Sequence, residues 1–416
     1  MAELAWVLRM DARRTMAPIA VPVLAVLGLA LAWRSLIPGV AYWDNTVVAV
    51  SASVRLLGPA TATLAAWGAV RERRLDHVRL LTPRSAVTGP LLDLLLLTVI
   101  SLLAYGVVAG VIVGETLLRA GTWDLRPAGL LAGAAALVLH AVLGCLAGRV
   151  LAGPPAVVAV AVATTLWATL RTDGSSWLSL LPPAAIGQVQ VFDGLRPGVF
   201  TDQLLWSLGL GATLLLGYVW TVSRRAVLAL PIAAALAVTA VSTVRLHGYG
   251  GAALAPAPTG YTCGRWPLTV CVHPALRSAL PSLEAAVTPL AARLAGTRGA
   301  FTRVEQLPGE EQASVRDGVA RVHLTDLAPG YGHRAAQEIG LGLIDARVCA
   351  APDHMRGMLY SNMVSAWLLD EHPAPVPDQA TARRFGRWSE QTRRGWLRAH
   401  FTDYRRCSLK PRDFTG

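Results

Sequence analysis

A succession of long apolar runs before residue 250 limits what this chain can become more than any other feature. A helix needs about 20 mostly apolar residues to cross a bilayer, and in lipid every backbone N–H and C=O must find its partner within the segment. Runs of that order occupy residues 16–32, 47–70, 87–113, 128–146, 155–170, 204–221 and 226–244. Apolar residues are concentrated before Leu246 and most charges follow it, although 53% of the whole chain is hydrophobic and only 15% charged. The chain therefore reads as an all-α polytopic membrane bundle of about seven transmembrane helices, residues 1–249. A small α+β extracytoplasmic domain, residues 250–416, follows it. The first run resembles a signal peptide, with small residues at Leu29-Ala30-Leu31-Ala32. Bulky Trp33 and charged Arg34 come next, so it reads as an uncleaved span.

The net charge of +12 is spread over both parts, with 18 basic residues against 11 acids before residue 250 and 20 against 15 after it. The basic residues flank apolar runs, an arrangement that orients spans in a bilayer and points away from a nucleic-acid partner. With the N-terminus in the cytosol, the inner segments hold eleven arginines and the outer ones seven. Arg71, Arg73, Arg74, Arg79 and Arg84 supply most of that excess. An odd number of crossings then places the C-terminal domain outside the cell membrane. Cysteine usage points the same way: Cys263, Cys271, Cys349 and Cys407 lie in that domain, an even set suited to an oxidising compartment, and Cys145 alone lies in a span. Three pairings are open. Cys263–Cys271 with Cys349–Cys407 is the expected one, and buried free thiols are the plain alternative.

Several chemistries are excluded by missing residues. Lys410 is the sole lysine and has no glycine run before it, so the chain has no Walker A loop and no ATPase of its own. A zinc protease helix needs H-E-x-x-H, with both histidines on one face. The nearest approach is His333 with Glu338, five residues apart and therefore on different faces of a helix. No serine-hydrolase elbow or papain-like cysteine motif is present. No catalytic residue, metal or cofactor is expected.

The most informative segment joins the second and third runs and reads Arg71-Glu72-Arg73-Arg74-Leu75-Asp76-His77-Val78-Arg79-Leu80-Leu81-Thr82-Pro83-Arg84-Ser85. Leu75, Val78 and Leu81 recur at helical spacing, charges take the other face, and Pro83 ends the helix. Such a helix can lie among headgroups or present a face to a cytoplasmic partner. Glu72-Arg73, Leu80-Leu81, Thr82-Pro83 and Arg84-Ser85 resemble, in order and spacing, the cytoplasmic loop of ABC-2-type transporter permeases. In that family the loop is a coupling helix docked on a separate ATPase. The resemblance implies polar contacts from Glu72, Arg73, Arg74, Asp76 and Arg79, and a docking turn shaped by Leu80, Leu81, Thr82 and Pro83. It also implies a separately encoded ABC ATPase and a homo- or heterodimer of permease subunits.

Two further segments are similar to that family: the amphipathic lead-in from Leu4 to Arg14, and the apolar, Pro-bearing stretch from Ser176 to Gly187, which looks like its re-entrant helices. The resemblance covers roughly residues 1–225. A seventh span and an outer domain are additions to the six-span pattern.

Ionisable residues inside spans are expensive and default to functional candidates. Arg55 lies near the outer end of the second run, Asp93 near the inner end of the third, and His140 deep in the fourth. His140 reads either as a neutral imidazole bonded to a neighbouring helix or as a proton or substrate contact. In the outer domain, strands are expected over 267–273, 301–307 and 319–324. Helices are expected over 278–294, 332–344, 355–369 and 380–404. In the last of these, Phe385, Trp388, Trp396 and Phe401 alternate with six arginines. That stripe reads either as a core face with a solvated basic side or as a membrane-surface contact.

Overall fold

The computed structural model describes residues 17–73, 88–120, 124, 126–151, 153–257, 260–309, 311–372 and 378–415. It divides into two compact units, one of residues 1–36, 41–189 and 193–256, the other of residues 37–40, 190–192 and 257–416.

The first unit is built of helices α1 (Ala17–Ser35), α2 (Trp43–Arg73), α3 (Thr88–Ala120), α4 (Pro127–Val150), α5 (Pro154–Thr169), α6 (Pro197–Ser223) and α7 (Ala229–Gly248). A two-stranded ribbon joins β1 (Asp193–Leu195) to β2 (Leu254–Pro256) in antiparallel register. Proline opens α4, α5 and α6, where its fixed φ suits the first turn and its missing N–H would have had no partner. Helices α2, α3, α4, α6 and α7 are long and apolar enough to cross a membrane, whereas α1 and α5 are apolar but shorter. The 16 residues of α5 rise about 24 Å. The chain thus has the helices of a multi-pass membrane protein.

Helices α2 and α4 approach one another through small residues. A side chain at Gly144 would run into the Ala62 carbonyl, and one at Gly148 into that of Ala66. With lipid on the outside there is little hydrophobic gain in burying leucine against leucine, so close backbone contact supplies the attraction instead. Paired hydroxyls fasten α3 to α2: Thr61 donates to Ser101 at 2.9 Å, and Thr46 meets Thr116 at 2.6 Å. Tyr105 of α3 donates to the Leu130 carbonyl of α4 at 2.9 Å, its ring lying over Gly133. Leu24, Leu57, Val108, Ile112 and Leu137 fill the space between α1, α2, α3 and α4.

The second unit carries a five-stranded sheet in the order β3 (Thr262–Gly264), β4 (Thr269–Val272), β5 (Arg303–Gln306), β7 (Val319–Val322), β6 (Ser314–Arg316). The three central strands run parallel and the two edges antiparallel. One face is apolar, with Val270, Val272, Val304, Ala320 and Val322 buried, and the other exposes Arg303, Arg316 and Arg321. Helices α8 (Leu280–Leu294), α9 (Tyr331–Leu343), the short α10 (Ala346–Cys349), α11 (Met355–Leu369), α12 (Gln379–Arg387) and α13 (Glu390–Arg405) complete it. The expected elements are present with shifted ends. The 380–404 helix is two helices broken at Trp388-Ser389, where Ser389 caps the second through the Thr392 N–H. Strands β3 and β6 are additional. They are three residues each, one pinned by a disulfide and the other turned back by Asp317-Gly318, both at positive φ.

The cysteines pair as Cys263–Cys271 and Cys349–Cys407. Phe385, Trp396 and Phe401 are buried, Trp388 half-buried, and Phe414 stacks 4.7 Å from Trp396. The aromatic stripe is therefore core, with Arg383, Arg384, Arg387 and Arg398 exposed.

Residues 37–40 and 190–192 belong to this second unit although they lie between helices of the first. The Leu327 N–H donates to the Pro38 carbonyl at 2.9 Å, and the Phe192 carbonyl accepts from Ala257 N–H at 2.8 Å. Gly39 adopts φ +74°, where a β-carbon would stand 2.7 Å from that of Leu327. The Phe192 ring lies edge-on to His273 at 5.3 Å and to Tyr261 at 6.1 Å.

Two outcomes follow from this packing. Gly144→Val is expected to lower the detergent thermal midpoint far more than Gly217→Val, whose β-carbon meets open space. Equal effects would show that the α2–α4 approach is not stabilising. The Cys349–Cys407 bridge spans 58 residues and the Cys263–Cys271 bridge eight. Loop entropy then assigns them about 4 and about 2.5 kcal/mol. Unfolding of the Cys→Ser double variants of each pair, in denaturant, measures both.

Candidate functional site

Helix α2 ends in Arg71-Glu72-Arg73, and the three side chains part company. Arg71 and Arg73 are exposed, the former with its guanidinium 5.8 Å from the centre of the Trp67 ring. Glu72 instead accepts from Arg149 Nη2 on the last turn of α4 at 3.3 Å, the two side chains 16% and 12% exposed. Arg74, Asp76, Arg79, Leu80, Leu81, Thr82 and Pro83 lie outside the described residues, as does the 4–14 lead-in. Arg149 also borders an apolar crevice lined by Leu91 and Leu94 of α3, Cys145 and Leu146 of α4, and Leu215 and Tyr218 of α6. Asp93 is half-buried on α3, between two of those leucines in sequence.

An ion pair this far out of water gains stability only while both partners are present, because a lone buried charge keeps its desolvation cost. Glu72→Ala or Arg149→Ala is expected to destabilise the protein by about 3 kcal/mol each. The double replacement Glu72→Leu with Arg149→Met is expected to recover most of the loss. Additive losses in a thermal-shift double-mutant cycle would remove the pairing.

Toward the start of α2, Arg55 reaches across to α5, donating from Nε and Nη2 to the Ala168 carbonyl at 3.1 and 2.8 Å. Just past α5, the Arg171 guanidinium lies 4.1 Å over the Trp167 ring. It donates to four carbonyls: Trp167 at 2.7 Å, Leu178 at 2.9 Å, Leu181 at 2.6 Å and Pro183 at 2.8 Å. The Trp167 indole N–H donates to Pro182, and the Asp173 carboxylate accepts from Gly187 N–H at 2.8 Å. Burial, and then the like charge of Arg55, pull the Arg171 guanidinium down to about 10, which leaves it cationic at neutral pH. The apolar 176–187 stretch is thus folded around one arginine as a short 3₁₀ turn and extended backbone. Sequence reasoning singled out Arg55 but counted Arg171 and Arg149 only as orienting charges. The signal for both was an arginine at the carboxyl end of an apolar helix, where free carbonyls and the helix dipole favour a cation.

His140 is 3% exposed, and its Nδ1 donates to the Ala136 carbonyl of its own helix at 2.7 Å. Its ring fills the space above Gly58 of α2, where a β-carbon would stand 2.9 Å from Nε2. In the second unit His333 pairs with Glu371 at 3.0 Å. Glu338 turns elsewhere, accepting from the His323 ring and backbone. Among the described residues no three His, Cys, Asp or Glu side chains gather closely enough to hold a metal ion.

Comparison of the chain with protein-family models, with curated proteins and with solved structures gave no match.

Proposed function

We propose that the chain is the membrane-spanning permease subunit of an ABC-2-type export system, working as a homo- or heterodimer with a separately encoded ABC ATPase. The carrying observation is the Glu72-Arg73…Leu80-Leu81-Thr82-Pro83 pattern in a basic connection between two membrane-length helices. Nucleotide-driven movement of the ATPase would be felt at residues 71–84. The Glu72–Arg149 pair and the small-residue contact of α2 with α4 supply a route for it into the bundle.

The proposed orientation has seven crossings in the plasma membrane, the N-terminus in the cytosol and the C-terminal domain outside. Two observations support it. Residues 37–40 and 190–192, connections that an odd-span scheme assigns to the outer side, gather with residues 257–416 in one unit. That unit carries both disulfides, which persist in oxidising surroundings.

The test is co-purification of the tagged chain with an ABC ATPase encoded beside it. Reversing Asp76 and Arg79 (Asp76→Arg, Arg79→Glu) is expected to reduce recovered ATPase at least about tenfold, the loss typical of a broken charged contact. An unchanged complex after deletion of residues 74–82 would refute the coupling role.

A second reading, a non-transporting receptor or scaffold binding an envelope component or peptide, draws on the disulfide-braced outer unit. A chain lacking residues 257–416 that still assembles with the ATPase favours the permease.

A further inference from the structure

Arg55 and Arg171 are two cations from distant parts of the chain brought near one another: Arg55 Nη2 approaches the Arg171 backbone carbonyl at 3.5 Å, and the two guanidinium charges lie close enough to repel. Among the described residues their acceptors are all neutral carbonyls, and neither has a carboxylate at ion-pair distance. Among the described residues the two positive charges therefore have no counter-charge, at a place where α5 gives way to polar loop. A guanidinium offers five N–H donors in a plane suited to phosphate oxygens. Arg55 uses only its Nε and Nη2, so both hydrogens of Nη1 stay free for an anion. Around the pair, Leu166, Leu170 and Leu178 are 47%, 74% and 39% exposed. Trp167 is 39% exposed, an aromatic of the kind that settles at headgroup level.

A soluble anion needs no apolar surroundings, whereas a phospholipid needs both a cationic seat and an apolar bed. We propose that Arg55 and Arg171 form a binding site for the phosphate of an anionic phospholipid, its acyl chains lying on Leu166, Leu170 and Leu178. Arg171 holds the 176–187 stretch and contributes charge, and Arg55 supplies the free donors. A lipid bound there would bridge α2, α5 and the outer stretch, so its headgroup class would influence how firmly that stretch is seated. The site stands independently of any ATPase partner.

The test uses the full chain purified in a neutral maltoside detergent and titrated with dioctanoyl-phosphatidylglycerol. Dioctanoyl-phosphatidylcholine and inorganic phosphate run in parallel, with native mass spectrometry as the readout. The anionic lipid is expected to bind about tenfold more tightly than the zwitterionic one, the worth of one charge-assisted contact. Arg55→Gln, which can still donate to the Ala168 carbonyl, is expected to abolish that preference while leaving phosphatidylcholine binding unchanged. Arg55→Lys serves should the glutamine variant fold poorly. It keeps the charge but not the fork, and is expected to retain part of the preference. Leu170→Ser is expected to weaken lipid binding without creating any for phosphate. Equal affinity for the two lipids, or an unaltered preference in both Arg55 variants, would overturn the site. Inorganic phosphate binding as tightly as phosphatidylglycerol would overturn its assignment to lipid.

Discussion

The first unit depends on how closely α2 and α4 can approach. Between helices immersed in lipid, burying a large apolar side chain gains little that the lipid does not already provide. What lipid cannot supply is backbone-to-backbone van der Waals contact, and Gly144 and Gly148 permit it against Ala62 and Ala66. The same economy appears where Gly133 makes room for the Tyr105 ring and Gly58 for that of His140. Between α2 and α3, the Thr46–Thr116 and Thr61–Ser101 pairs satisfy hydroxyls on one another. Helices α6 and α7 meet in the same way, Gly209 lying against the Ala235 carbonyl, but hide less of their surface. Only 17% and 6% of their apolar windows are buried, so they present to lipid what the four-helix core hides from it.

Charge in this unit is placed by the same constraint. Glu72, Arg149, Arg55 and Arg171 are each held in a way that low dielectric permits. Glu72 and Arg149 neutralise each other, and Arg55 and Arg171 take up carbonyls at the end of a helix that has run out of N–H partners. The difference between those solutions separates the two ends. The Glu72–Arg149 pair borders an apolar crevice, and the Arg55 and Arg171 cations lie near exposed leucines.

The second unit is organised by water rather than lipid. Its sheet is apolar on one face only, its aromatic side chains pack together, and two disulfides restrain the unfolded chain. It also incorporates residues 37–40 and 190–192, each separated from neighbouring helices of the first unit by a few residues.

What the amino-acid order alone determined is the class of the protein: apolar run length against bilayer thickness dictates membrane helices. The segregation of charge and cysteine after Leu246 dictates a separate folded domain. Both are local properties, readable because hydrophobicity and periodicity act over tens of neighbouring residues. The helices and central strands of that domain were legible for the same reason. The three-residue strands β3 and β6 were not, since so short a strand exists only through the partner it pairs with. The candidate sites show the limit most plainly. Glu72 looked like an outward-facing docking residue and turns to Arg149, 77 residues away, while His140 bonds its own helix rather than a neighbour. Arg171 looked like an orienting charge and organises an entire segment beside Arg55. Those outcomes belonged to the tertiary structure, because the energy of a charge in a low-dielectric setting is decided by which carbonyl or counter-charge lies within about 3 Å, and only the packed helices bring those groups together.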